Sequence, residues 1–136
     1  MLVDSNILIY AINKRSPKHN SAISFLENNK SNIVLAHQNI IEAIKVLTQD
    51  KYSHPMSSPS ATKAVLLIAN ASIIISPNNV TYQIVLDYIE KFKLSGNRIF
   101  DAYLAATALS NGIYEIATDN SKDFQKFKEI KILNPF

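Results

Sequence analysis

The sequence predicts a three-layer α/β/α domain with a short-stranded, mainly parallel central sheet. Short apolar runs rich in isoleucine and valine alternate with longer stretches of helical periodicity, the rhythm of parallel strands joined by crossover helices. Those runs are almost wholly apolar instead of alternating apolar with polar, so both faces of the sheet must be covered. With 136 residues, 47% of them apolar, the chain has material for one sizeable core, and a single domain over residues 1–136 is expected.

Leu2-Val3 opens as a strand and gives way at Asp4-Ser5-Asn6, three residues that favour a helix N-cap. A buried helix is expected over residues 7–12, broken near Pro17, and a second over residues 18–29 with Ala22, Ile23, Phe25 and Leu26 apolar. Ile33-Val34-Leu35-Ala36 reads as a buried strand. A helix from His37 or Gln38 to about Tyr52 follows, with Glu42 set among Ile40, Ile41 and Ile44. Residues 53–60 hold Pro55, Pro59 and four serines and read as a loop. Residues 61–71 are expected to be helical, 72–76 a strand and 77–79 a turn. An amphipathic helix spans 80–94, with Tyr82, Val85, Ile89 and Phe92 near one face. Residues 97–109 read as a helix apolar over most of its surface, with Asp101 in its first turn, where the helix dipole favours a negative charge. A strand at 114–118 leads into Asp119-Asn120-Ser121-Lys122-Asp123-Phe124, and a last strand covers 130–133.

Composition removes several function classes. There is no cysteine, so neither a disulfide framework nor a thiolate zinc site is available. Only two glycines occur, Gly96 and Gly112, which excludes the dinucleotide fingerprint, the phosphate loop and the nucleophile elbow. No basic leader precedes the first strand and no apolar run reaches membrane-spanning length, so a soluble, cytoplasmic domain without membrane association is expected. The net charge of +3 suits a polyanionic partner without requiring one.

The acids fall in a pattern. Asp4 follows the first strand, and Asp119 and Asp123 follow the strand ending at Thr118. Asp101 opens a helix on the same side of the sheet, and Glu42 lies about two turns into the helix after the second strand. In a parallel sheet that side is where ligands bind. Each acid alone has an ordinary explanation as a cap, a turn residue or a dipole partner. Together they would repel and raise one another's pKa unless a cation neutralised them. Oxygen ligands without cysteine, and His19, His37 and His54 without ligand spacing, select Mg²⁺ or Mn²⁺ over zinc. Such ions activate water and steady the leaving oxygen of a phosphodiester, so metal-dependent hydrolysis of a nucleic-acid backbone is the chemistry this pattern points to.

These same segments resemble the PIN-domain ribonucleases, and most closely the small VapC-type toxins of type II toxin–antitoxin pairs. Leu2-Val3-Asp4-Ser5-Asn6-Ile7-Leu8-Ile9-Tyr10 is similar to the family's opening strand and first acid. Gln38-Asn39-Ile40-Ile41-Glu42 is similar to the segment of the second acid, and Arg98-Ile99-Phe100-Asp101-Ala102-Tyr103-Leu104-Ala105-Ala106 to that of the third. Thr118-Asp119-Asn120-Ser121-Lys122-Asp123-Phe124 is similar to the fourth region. The resemblance implies an endoribonuclease dependent on Mg²⁺ or Mn²⁺, with Asp4, Glu42, Asp101 and Asp123 as catalytic acids. Among these, Asp4, Asp101 and Asp123 would bind metal. In some members the fourth acid follows Thr by two positions, where this chain has Asn120, and in others it precedes Phe. That pattern favours Asp123 and holds Asp119 in reserve as a metal ligand.

Ser5 and Asn6 would shape the site, and Thr118, with Asn120 beside it, would orient an acid. The resemblance further implies an RNA substrate, a cognate antitoxin over the acidic cleft, and a homodimer formed through helices near the N-terminal half. Arg15, Lys45, Lys51 and Arg98 are candidate RNA contacts, which would position phosphates without specifying sequence. Three other readings compete: a catalytically weak PIN-like module that binds RNA or protein, a receiver-like signalling domain, and a phosphatase or other phosphoesterase served by the same metal site. The second lacks the phosphoacceptor aspartate its middle strand needs at Ile73-Ile74-Ile75-Ser76-Pro77.

Overall fold

The computed structural model describes residues 1–52 and 54–136. Five strands form one all-parallel sheet: β1 (Leu2–Val3), β2 (Val34–Ala36), β3 (Ile73–Ile75), β4 (Glu115–Ala117) and β5 (Lys131–Leu133), in spatial order β3-β2-β1-β4-β5. Seven helices intervene: α1 (Ser5–Ile12), α2 (His19–Asn28), α3 (His37–Thr48), α4 (Ser58–Ala69), α5 (Thr81–Phe92), α6 (Asn97–Ser110) and α7 (Ser121–Phe124). The alternation of short apolar runs and helices in the sequence does build a three-layer α/β/α fold.

The two core clusters explain the layers. Val3 and Leu35 turn to one face of the sheet and pack with Ile7, Leu8, Ala22, Ala43, Leu47 and Val65 of α1 to α4. Leu2, Val34 and Ala36 turn to the other, where Tyr88, Ala102, Leu104, Ala105 and Phe124 of α5 to α7 cover them. Successive strand residues thus alternate between two apolar layers, which is why β1 and β2 are apolar at every position. The chain runs outward from β1 through β2 to β3, then returns to the other side of β1 for β4 and β5. The strand order thus reverses between β1 and β4, and in such sheets ligands bind beyond the carboxyl ends of the strands at that point.

Several boundaries differ from the sequence reading. The proline- and serine-rich stretch 53–60 is not all loop: α4 begins at Ser58, capped by Ser57, whose hydroxyl accepts from the Ser60 N–H, with Pro59 in the first turn, where a missing N–H costs nothing. Ser53, the first residue of that stretch, lies outside the described residues. The helix expected to reach Tyr52 stops at Thr48. On α5 the buried stripe is Thr81, Val85 and Tyr88, while Tyr82 faces out. The strand β3 is an edge, so Ile73 and Ile74 are exposed instead of covered. No helix among the described residues is long and apolar enough to cross a membrane.

Candidate active site

The site begins at the β1–α1 junction. Asp4 leaves the sheet in extended conformation and caps α1, its Oδ1 accepting from the Ser5 N–H at 2.7 Å. The side chain is buried, 8% exposed, so its remaining lone pairs need donors. Oδ2 receives two: Thr118 Oγ1 at 2.7 Å and Asn6 Nδ2 at 2.8 Å. Thr118 comes from the end of β4, beside β1 in the sheet, where the Asp4 N–H also meets the Ala117 carbonyl at 2.9 Å. The switch between β1 and β4 therefore brings residues 4 and 118 into direct contact.

The polarity of this network is fully determined. The Thr118 hydroxyl has one proton, which goes to Asp4, so it accepts from Asn6 Nδ2 at 3.0 Å and from the Asn120 N–H at 3.0 Å. Asn6 Nδ2 uses both protons, and its Oδ1 accepts from the Asp119 N–H at 3.3 Å. Ser5 Oγ lies 3.3 Å from Asp4 Oδ1 and 3.2 Å from Glu42 Oε2. With a single proton it serves one carboxylate at a time, and when it turns to Glu42 a lone pair on Asp4 Oδ1 is released.

Two helices bring the other acids. Asn39 Oδ1 accepts from the Ala36 N–H at 3.0 Å and fixes the start of α3, whose sixth residue is Glu42. Asp101 lies in the second turn of α6, not the first as its spacing suggests, because the helix already begins at Asn97. The dipole fades beyond the first turn, so it is not what holds a charge there. Gln38 Nε2 donates to the Phe100 carbonyl at 3.0 Å and ties α3 to α6 beside the two acids. Asp123, in α7, accepts from Asn120 Nδ2, and Asn120 in turn reaches Thr118 through its backbone.

The four acids are close enough to feel one another's charge. Burial, then the charges of Asp123 and Asp4, push Asp101 up to about 6, with Glu42 adding to the effect and Lys126 opposing it. Asp4 is also raised, chiefly by burial and further by Glu42, against the lowering effect of its bonds from Thr118 and Ser5. Asp119 belongs to a different group. Burial would raise it, but hydrogen bonds from Lys18 and Tyr10 and the Lys18 charge hold it below the usual carboxylate range. So the structure gathers Asp4, Glu42, Asp101 and Asp123, and sets Asp119 against Lys18.

Among the described residues no three histidine, aspartate or glutamate side chains stand close enough together to hold a metal ion between them. The donor set still fits a hard divalent cation held the way magnesium usually is, by one or two carboxylates with waters completing the shell. It offers only oxygens, and the raised Asp4 and Asp101 are acids whose ionised forms want a neighbouring positive charge.

A cleft of about 310 Å³ between α3 and α6 is lined by Glu42 and Asp101 together with Gln38, Lys45, Ile41 and Phe100. Ile41 is 66% and Phe100 59% exposed, an apolar rim beside acids that sequence reasoning missed. Its only signal was a large apolar side chain directly before an acid on each helix, Ile41 before Glu42 and Phe100 before Asp101. Of the candidate RNA contacts, Lys45 lines this cleft, and Arg98 is exposed near the start of α6. Arg15 and Lys51 are exposed on other loops, Arg15 against His54.

The sequence model of the PIN domain matches residues 1–130. Ribonuclease VapC24 of Mycobacterium tuberculosis is 26% identical over 137 aligned residues, covering 98% of this chain and 94% of the relative. VapC ribonuclease Mb2897 of Mycobacterium bovis is 28% identical, covering 99% and 95%. The fold is similar to that of a toxin–antitoxin complex from Klebsiella pneumoniae, with a TM-score of 0.72 at 20% identity over 99% of this chain and 97% of that one. It is also similar to DNA-bound VapBC from Salmonella typhimurium, with a TM-score of 0.74 at 17% identity over the same shares.

Proposed function

This chain belongs to the PIN-domain family, and from that premise we propose that residues 1–136 act as one PIN-like unit, a Mg²⁺- or Mn²⁺-dependent endoribonuclease that is the toxin of a toxin–antitoxin pair. The observation that carries the reading is the convergence of acids from separate parts of the chain on Asp101, which burial and then the charges of Asp123, Asp4 and Glu42 push up to about 6. The ribonuclease names of the two mycobacterial relatives support the substrate class.

In this reading one or two of Asp4, Asp101 and Asp123 would ligate the cation directly and the rest would act through its waters, with Glu42 completing the acidic set. When bound, the cation supplies a Lewis acid that lowers the pKa of water and offsets charge on the leaving oxygen. The chain's own residues do the rest. Thr118 and Asn6 fill Asp4 Oδ2, so that Oδ1, which accepts the Ser5 N–H, is the oxygen with a lone pair to offer once the Ser5 hydroxyl turns to Glu42. Ser5 shifts its one proton between Asp4 and Glu42. Asn120 steadies Asp123, and Lys45 attracts a phosphate toward the cleft. Asp119, already paired with Lys18, is left out of the ligand set.

Two protein partners complete the proposal. The apolar rim of Ile41 and Phe100 suits an antitoxin segment that covers the acids. Exposed Leu66 and Leu67 on α4, with Ile73 and Ile74 on β3, suit a second copy of the chain. The deciding assay incubates the purified protein with RNA in Mn²⁺ and in EDTA, beside Asp4→Asn and Asp101→Asn. Cleavage that stops in EDTA and falls about 100-fold or more in kcat for either variant is expected. Equal cleavage by both variants would remove the acids from the chemistry. For the dimer, Leu67→Asp is expected to halve the mass seen by light scattering.

A further inference from the structure

Beside the four acids lies a second group that the reaction does not use. Lys18 Nζ reaches the two Asp119 oxygens at 2.6 and 2.5 Å, and the Tyr10 hydroxyl donates to Oδ2 at 2.8 Å. The same ammonium lies 4.9 Å from the Phe136 ring centre and 5.4 Å from that of Tyr10, and the two rings meet edge to face at 5.5 Å. The Asp119 carboxylate is therefore held by two donors, one of them enclosed by rings.

What matters is where the backbone of that residue points. The Asp119 N–H donates to Asn6 Oδ1 at 3.3 Å, and the amide of Asn6 is planar. Fixing its oxygen fixes both protons of Nδ2, which go to Asp4 Oδ2 and Thr118 Oγ1. Asn6 and Tyr10 lie one turn apart on one face of α1, so the helix itself ties the two ends of the chain of contacts.

We propose that Lys18, Tyr10 and Asp119 are positioning residues that act through Asn6 to aim the Asp4 carboxylate. The ion pair sets the backbone at 119, that backbone sets Asn6, and Asn6 with Thr118 occupies Oδ2, which would leave Oδ1 as the oxygen available to a cation. The inference rests on the reading of Asp4 as a cation ligand. It assigns a task to an ion pair that, as a surface pair alone, would contribute little to stability.

Lys18→Met separates this from plain electrostatics, because the two predict opposite signs. Removing a positive charge near an acidic site should tighten binding of Mn²⁺ through space. Loss of a brace should weaken it. The measurement is Mn²⁺ titration of the full chain, without RNA, by calorimetry or by the paramagnetic signal of free Mn²⁺, on protein confirmed folded by circular dichroism. The expected result for Lys18→Met is a Kd raised about tenfold, the low end for lost support of a metal ligand. A lower kcat on RNA with unchanged KM should accompany it, while Lys18→Arg, which keeps the pair, stays within about twofold of the parent. Unchanged or tighter Mn²⁺ binding in Lys18→Met overturns the proposal, whatever happens to its melting temperature. Asp4→Asn is titrated beside it: if that variant binds Mn²⁺ as the parent does, the cation reading of Asp4 falls and the brace with it. Loss in Asp4→Asn with no loss in Lys18→Met overturns the brace alone.

Discussion

Thr118 illustrates how much a single buried hydroxyl decides here. Its proton goes to Asp4, and its lone pairs receive Asn6 and Asn120, so one oxygen links residues from the β1–α1 junction, α1 and the β4–α7 loop. Thr118→Val keeps the shape and removes every one of those bonds. It should cost about 1–3 kcal/mol in urea unfolding, since Asn6 and Asn120 are left with unpaired donors. It should also move Asp4 further up, because the bond from Thr118 is the strongest influence lowering it. The threonine and the acids were legible in the sequence as positions. Asp119 and Asp123 were not separable there, because both follow the same strand and either could turn inward. Lys18, which neutralises Asp119, stands 101 residues away, and no local pattern announces it.

At the scale of elements, α6 explains why so many alanines lie together. Ala102, Ala105, Ala106 and Ala108 are all buried, and the helix packs against both α5 and the sheet. Small side chains there let backbones approach, so Ala105→Leu should overpack the layer and cost about 1–3 kcal/mol, read as a lower urea midpoint. The start of α4 shows the opposite kind of residue at work. Ser57→Ala removes a capping acceptor that the proline- and serine-rich stretch conceals, with an expected loss of about 1 kcal/mol. That stretch misled the sequence reading because serine and proline favour loops and helix beginnings equally. Only the N–H that a serine oxygen meets distinguishes the two.

For the whole molecule, the clustered acids set a pH dependence. Asp101 binds its proton in the folded state up to about 6, whereas the unfolded chain releases it near the ordinary value of 3.8. Between those values the folded state carries more protons than the unfolded one, so stability falls as pH rises. The loss is complete above about pH 6 and absent below about pH 4. Asp4 acts in the same direction, while the lowered Asp119 acts oppositely: its contribution is present above pH 4 and is lost only as pH drops below that. In EDTA the protein should therefore be more stable to urea at pH 5 than at pH 7.5, and Asp101→Asn should flatten that slope. Added Mn²⁺ at pH 7.5 should restore stability by about 2.7 kcal/mol at one hundred times its Kd.

By itself, the sequence determined the layers, the parallel sheet and the elements that carry each acid. These follow from local periodicity and from strands too apolar to have a wet face. Tertiary structure alone decided which acids meet, because that depends on β4 crossing back to pair with β1 and on α3 and α6 converging from opposite layers. It also decided the partners of Asp4 and Asp119, and the exposure of Ile41, Phe100 and the β3 edge. Periodicity records which side of an element is buried; a hydrogen bond between residues more than a hundred positions apart leaves no trace in either neighbourhood.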